Sequence, residues 1–104
     1  MYLNLASGRF TFVQNYQTME SSIVVIDVRT PAEFMGGHVA GSINIPLNEL
    51  PHRMGELKDK NNLVLCCASG ARSEQAARLL KSNGIACENG GPWVRVNAML
   101  NNKN

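Results

Sequence analysis

The sequence predicts an α/β domain with a central, mostly parallel sheet, and three observations carry that prediction. Short apolar runs alternate with segments of helical periodicity, as in chains that cross from one parallel strand to the next through a helix. The runs at 23–28 (IVVIDV) and 63–66 (LVLC) are apolar at nearly every position. Such continuity suits strands covered on both faces. The chain has 104 residues, enough for a single core and too few for two.

The elements follow in order. Residues 12–19 (FVQNYQTM) place Phe12, Val13, Tyr16 and Met19 at helical spacing. The strand at 23–28 comes next. Thr30-Pro31-Ala32-Glu33 is a capping box with proline at the first helical position, a strong local start, and Gly36-Gly37 ends that helix early. Residues 42–46 (SINIP) read as a brief strand stopped by proline. Asn48 is placed to cap a helix reaching about Leu57, and polar residues 58–62 form a turn. After the strand at 63–66, residues 73–83 form a helix with Ala76, Ala77, Leu79 and Leu80 on one side and Gly84 just past its end. Residues 85–87 are a short strand, and Gly90-Gly91-Pro92 breaks the chain. Trp93, Val96 and Leu100 then return at helical spacing, leaving 101–104 as a frayed tail.

Composition narrows the function classes. Hydrophobic residues make up 44% and charged residues 17%, which excludes a disordered polar chain. No apolar run approaches the roughly 20 residues of a membrane-spanning helix. The net charge of +2 is too weak and too dispersed to predict binding to nucleic acid or to an anionic membrane, yet it tolerates a small anionic ligand. The three cysteines, Cys66, Cys67 and Cys87, are an odd set with two adjacent, which makes a poor disulfide framework. Neither His38 nor His52 completes a zinc pattern, so no metal is expected. Free thiols point to a reducing compartment. The N-terminus shows no signal-peptide pattern. The expectation is a cytoplasmic protein, or a periplasmic one where a leader has been removed.

The chemistry concentrates where the 63–66 strand meets the next helix. Cys67-Ala68-Ser69-Gly70-Ala71-Arg72 is a run of small residues entering a helix. Small side chains let backbone N–H groups converge, and Gly70 permits the positive φ that such a loop needs. Amides at a helix start form an anion site. Together with the helix dipole they favour a Cys67 thiolate, below the free-thiol value of about 8.5. Arg72 adds a fixed cation able to grip an oxyanion with two N–H groups. A thiolate so placed, in a partly exposed setting, is a nucleophile for electrophilic sulfur or phosphorus. The same residue also reads as a small core side chain closing a strand. Cys66 and Cys87 read as core, His38 as a hydrogen-bonded structural histidine, His52 as an exposed helix residue and Trp93 as packing.

At these residues the chain resembles a single-domain rhodanese, a thiosulfate-type sulfurtransferase. Ile26-Asp27-Val28-Arg29 with Pro31, Glu33 and Phe34 is similar to the family's D-x-R and E-F/Y segment. Gly37-His38-Val39, Gly41-Ser42 and Asn44-Ile45-Pro46 are similar to its G-H-I/V-x-G-A/S-x-N-I-P segment. Cys67-x-Ser69-Gly70-x-Arg72-Ser73 with Ala76, Ala77 and Leu80 resembles its active loop and following helix. The three blocks stand in order across about 23–91. The resemblance implies a rhodanese-like three-layer domain, one domain over 1–104, with helices flanking the sheet. It implies that Cys67 carries sulfur, that residues 68–72 form the amide cradle, and that Asp27, Arg29 and His38 brace the surrounding loops. Three positions depart from the pattern: Cys66 stands where an aromatic residue is frequent, Ala68 where a polar one is, and Trp93 follows Gly90-Gly91 after only Pro92.

The activity so implied is transfer of a sulfane sulfur from a small anionic, thiosulfate-like donor to cyanide or a thiol acceptor, a sulfur-accepting protein included, through a Cys67 persulfide and without a cofactor. Two alternatives stand beside it. A cysteine phosphatase or arsenate reductase of the related fold uses C-x5-R, whereas Cys67 to Arg72 is C-x4-R, a smaller ring better suited to a single sulfur atom. A protein-binding module of the same fold commonly lacks the nucleophile that is present here.

Overall fold

The computed structural model describes residues 22–101. Within that span four strands and four helices alternate: β1 (Val24–Asp27), α1 (Pro31–Met35), β2 (Ile43–Asn44), α2 (Leu50–Arg53), β3 (Leu63–Cys67), α3 (Ala71–Ser82), β4 (Cys87–Pro92) and α4 (Trp93–Asn101), with a 3-10 turn, Met54–Glu56, after α2. The sheet order is β2-β1-β3-β4 and every pairing is parallel. The helix expected at 12–19 lies outside the described residues. Asn101, assigned to a frayed tail, is instead the last residue of α4.

Alternation along β3 builds the three layers. Leu63, Leu65 and Cys67 join Ile26, Val28, Leu50, Leu57, Ala76, Ala77 and Leu80 on the side covered by α2 and α3. Val64 and Cys66 join Val25, Val39, Val96 and half-buried Trp93 on the side of α4. All five residues of β3 are buried, the condition that its unbroken apolar sequence anticipates.

Local chemistry explains most boundaries. Thr30 caps α1 through a complete capping box: its hydroxyl accepts from the Glu33 amide, and the Glu33 carboxylate accepts from the Thr30 amide. The helix at 48–57 departs from expectation. Glu49, not Asn48, is its N-cap, and no side chain caps it. The Pro46 carbonyl accepts from the Glu49 and Leu50 amides at 2.8 and 3.1 Å, turning the chain into α2 without a side-chain cap.

The largest correction is β4. Gly90-Gly91-Pro92, expected to break the chain, forms the second half of this strand, and the strand begins at Cys87 rather than 85. Beyond Leu65 opposite Asn89 the register shifts, so that Cys66 faces Gly91 and Cys67 faces Pro92. Gly90 is the extra residue of this bulge. A Cβ there would lie 2.7 Å from Val64 Cγ1 and 2.8 Å from Val96 Cγ2, so the close approach of strand and helix requires glycine. Pro92 is tolerated because it is the last residue of β4, which among the described residues lies at the edge of the sheet.

Candidate active site

Strand β3 ends at Cys67 and helix α3 begins at Ala71, so residues 68–70 carry the whole reversal. Gly70 makes it possible with φ of 109°, a left-handed conformation that a side chain would strain. The turn aims amides back at the cysteine. The Gly70 N–H donates to Cys67 Sγ at 2.9 Å and the Ser73 N–H at 3.4 Å, with Ser73 Oγ also 3.4 Å from the sulfur.

This folding-back buries Cys67 fully, in place of the partly exposed setting expected. Burial pushes its thiol up, but hydrogen bonds from the Ser73 hydroxyl and amide, then from the Gly70 and Ser69 amides, outweigh it and bring it below the ordinary value. Cys66, one residue earlier on the opposite face, has no such cradle. Burial, then the charge of Asp27, pushes it up to about 12. Burial likewise raises Cys87, whose thiol donates to the Ala77 carbonyl at 3.7 Å.

Arg72 already has an acidic partner. Its guanidinium donates to both Glu33 oxygens, at 2.8 and 3.0 Å. The pair ties the first turn of α3 to α1 and leaves Arg72 about one-third exposed. Glu33 is held down to about 2, chiefly by Arg72 and then by the Thr30 amide. Arg72 also lines a cleft of about 260 Å³ with Val28, Thr30, Pro46, Leu47 and Asn48. The exposed side chains of Ala68 and Ala71 bring no polar group, so their contribution is confined to backbone and space.

The bracing residues form a separate layer. Arg29 donates through Nε and Nη2 to the buried Asp27 carboxylate at 2.7–3.0 Å, and through Nη2 to the Gly37 carbonyl at 2.7 Å. Its guanidinium also lies 4.8 Å from the Trp93 ring centre, a cation–π distance. Asn44 donates to the Asp27 and Arg29 carbonyls, fastening β2 to the same corner. The exposed His38 stacks on Phe34 at 3.7 Å and pairs through Nδ1 with the Phe34 carbonyl at 2.7 Å.

Sequence reasoning gave no role to Ser73 or Asn89. Ser73 Oγ donates toward Asn89 Oδ1 at 2.7 Å and the Gly70 carbonyl at 3.1 Å. The position of Ser73, in the first turn of the helix that follows the cysteine, was a usable signal. Asn89, distant along the chain between the strand read at 85–87 and the break read at 90–92, carried none. Among the described residues, no group of three or more His, Cys, Asp or Glu side chains forms a metal-binding cluster.

A profile described as "Rhodanese-like domain" matches residues 13–96. The chain belongs to this family. An Escherichia coli (strain K12) relative named "Thiosulfate sulfurtransferase PspE" is 42% identical over 69 residues, covering 64% of this chain and 66% of that protein. The uncharacterized protein YqhL of Bacillus subtilis (strain 168) is 45% identical over 60 residues, 58% of this chain and 48% of its own length. The chain thus spans about half of that relative, and 36% and 58% of two others. A solved structure titled "rhodanese with anions from E. coli" superposes with a TM-score of 0.65 at 36% identity, covering 71% of this chain and 91% of that one. The rhodanese-like fold anticipated from three sequence blocks is therefore the fold observed, and the relatives place the chain among sulfurtransferase homologues. No helix among the described residues is long and apolar enough to cross a membrane.

Proposed function

We propose that this chain is a thiosulfate-type sulfurtransferase with Cys67 as its sulfur-carrying nucleophile. The observation that carries the reading is the convergence of the Gly70 and Ser73 amides on one sulfur at the head of α3. The Cys67 thiolate attacks the outer sulfur of thiosulfate. A Cys67–sulfur bond forms, the donor's sulfur–sulfur bond breaks, and sulfite leaves with the electron pair. The terminal sulfur of the resulting persulfide is then attacked by cyanide or a thiolate, and Cys67 departs as a thiolate. Loop amides stabilise the anionic sulfur in both half-reactions. Because the sulfur is covered, residues 68–70 must give way as donor and acceptor enter.

Residues 68–72 are the proposed donor-binding loop. Arg72 grips the donor's oxyanion by exchanging its Glu33 partner, an exchange that a part-exposed ion pair permits at small cost. Six residues from Cys67 to Arg72, with the arginine turned to Glu33, suit a sulfur atom better than a tetrahedral phosphate. The donor is therefore a small sulfur anion, and the acceptor is cyanide, a small thiol or a protein thiol. The test is intact mass after incubation with thiosulfate, before and after cyanide. A gain of one sulfur atom, removed by cyanide and absent in Cys67→Ser, is expected. An unchanged mass together with rapid hydrolysis of aryl phosphates would overturn the reading in favour of a phosphatase.

A further inference from the structure

Ser73 sits at a crossroads. Its side chain is fully buried, its hydroxyl has one proton, and three acceptors lie within reach: Asn89 Oδ1 at 2.7 Å, the Gly70 carbonyl at 3.1 Å and Cys67 Sγ at 3.4 Å. One proton serves one acceptor well. The shortest approach is to Asn89, and the orientation of that amide is anchored independently. Asn89 Oδ1 accepts from the Gly91 amide at 2.9 Å, a backbone donor that only the oxygen can meet, while Nδ2 donates to Glu74 at 3.2 Å. The bulge in β4 puts Asn89 in this position, opposite Leu65 and just before the register shift.

We propose that Asn89 is a positioning residue that competes with Cys67 for the single Ser73 hydroxyl proton and so sets how much of that hydrogen bond the sulfur receives. The proposal rests on Cys67 being the reacting thiol. When Asn89 holds the proton, the sulfur keeps its amide donors and loses the hydroxyl, leaving a more basic and more nucleophilic thiolate. When the hydroxyl turns to the sulfur, the thiolate is more stable and less reactive. A residue outside the 67–72 loop thereby tunes the balance between having a thiolate and having a strong one.

Other charges around the sulfur are common to the variants that test this. Asp27 and Arg29 at the end of β1 are paired with each other. On α3, Arg72 is paired with Glu33 and Glu74 with Arg78. Glu88 flanks Cys87 on β4, Arg95 approaches Gly91 from α4, and Cys66 adjoins on β3.

The readout is the pH profile of iodoacetamide alkylation at Cys67, located by peptide mapping. Asn89→Ala releases the hydroxyl to the sulfur, so the midpoint is expected to fall by about one pH unit, a tenfold change in thiolate-to-thiol ratio. Ser73→Ala is expected to raise it. Asn89→Asp keeps the acceptor contacts with Ser73 and Gly91 and adds a negative charge, so it is expected to raise the midpoint, by more with Ser73 present than in a Ser73→Ala background, and this comparison serves if the alanine variant folds poorly. In a Ser73→Ala background, Asn89→Ala is expected to have no further effect. An unmoved or raised midpoint in folded Asn89→Ala, an unmoved or lowered midpoint in Asn89→Asp, or an equal shift with Ser73 absent would each overturn the proposal. Alkylation does not require sulfur transfer, so a protein that fails to gain sulfur from thiosulfate but keeps this pattern would sink the functional reading alone.

Discussion

Cys66 and Cys67 are neighbours in one strand, both fully buried, and their thiols are driven in opposite directions. Cys66 points to the α4 side among Val25, Val39, Val64 and Val96, where burial leaves the neutral thiol favoured. Cys67 points to the α3 side, where burial is opposed by the amides of a turn and the hydroxyl of Ser73. Burial alone therefore does not decide whether a cysteine's thiol is raised or lowered. Donor geometry does, and here one residue of strand alternation decides which thiol receives it.

The comparison breaks most sharply on substitution. Cys67→Ser is expected to lower thiosulfate:cyanide transfer by at least about 10³-fold, the scale on which enzymes lose a nucleophile. Cys66→Ser is expected to retain most activity while losing about 1–3 kcal/mol of stability, because it buries a hydroxyl in an apolar cluster. Thiocyanate production and urea unfolding measure the two effects. Comparable loss of activity in both variants would mean that the two thiols act together.

The next contrast is in pH. The lowered Cys67 thiol is deprotonated at a pH where an ordinary thiol is not, so its alkylation rate should level off at a lower pH than that of a free thiol. Cys66 should remain unlabelled until the chain unfolds. Gly70→Ala tests the cradle itself. A Cβ at position 70 meets Gly91 Cα at an ordinary 3.5 Å, so the cost comes from the backbone conformation, about 1–2 kcal/mol. Relaxing that strain withdraws the 2.9 Å amide, and the Cys67 midpoint is expected to rise by about one pH unit. A Gly70→Ala protein with an unchanged profile would show that this amide is dispensable.

The smallest effect concerns the ion pairs. Asp27–Arg29 is buried and braced by Gly37 and Trp93, whereas Glu33–Arg72 is part-exposed. Glu33→Gln keeps a side chain that can complete the capping box at Thr30 and removes the charge that occupies Arg72. The KM for thiosulfate is expected to fall about two- to fivefold with little change in kcat, the range an exposed pair is worth. A raised KM would mean that Glu33 positions Arg72 rather than competing for it.

Much of this site was legible because its parts are contiguous. A buried strand, a run of small residues and a helix start stand side by side from Leu63 to Ser82, and the capping box of α1 lies within four residues. The illegible parts depend on contacts across the fold. Glu33 and Arg72 meet from 39 residues apart, and Ser73 and Asn89 from 16. The second half of β4 escaped because Gly-Gly-Pro is punctuation in most contexts, and only the crowding of Val64 and Val96 makes Gly90 a strand residue. Asn48 failed as a cap because the Pro46 carbonyl already supplied the turn.

The bulge in β4 also governs how this chain can drift. Substitution at position 90 is closed, since any first carbon collides with Val64 and Val96 at once. Deletion there is not equivalent to a small substitution. It would remove the extra residue, carry Asn89 one step along β3, and reverse which face each side chain before the gap presents. Insertions and deletions in this strand are thus events at the sulfur itself, although they fall some twenty residues away in the gene. A genetic screen tolerant of single-codon deletions should find residues 89–91 as silent in survivors as residues 67–70.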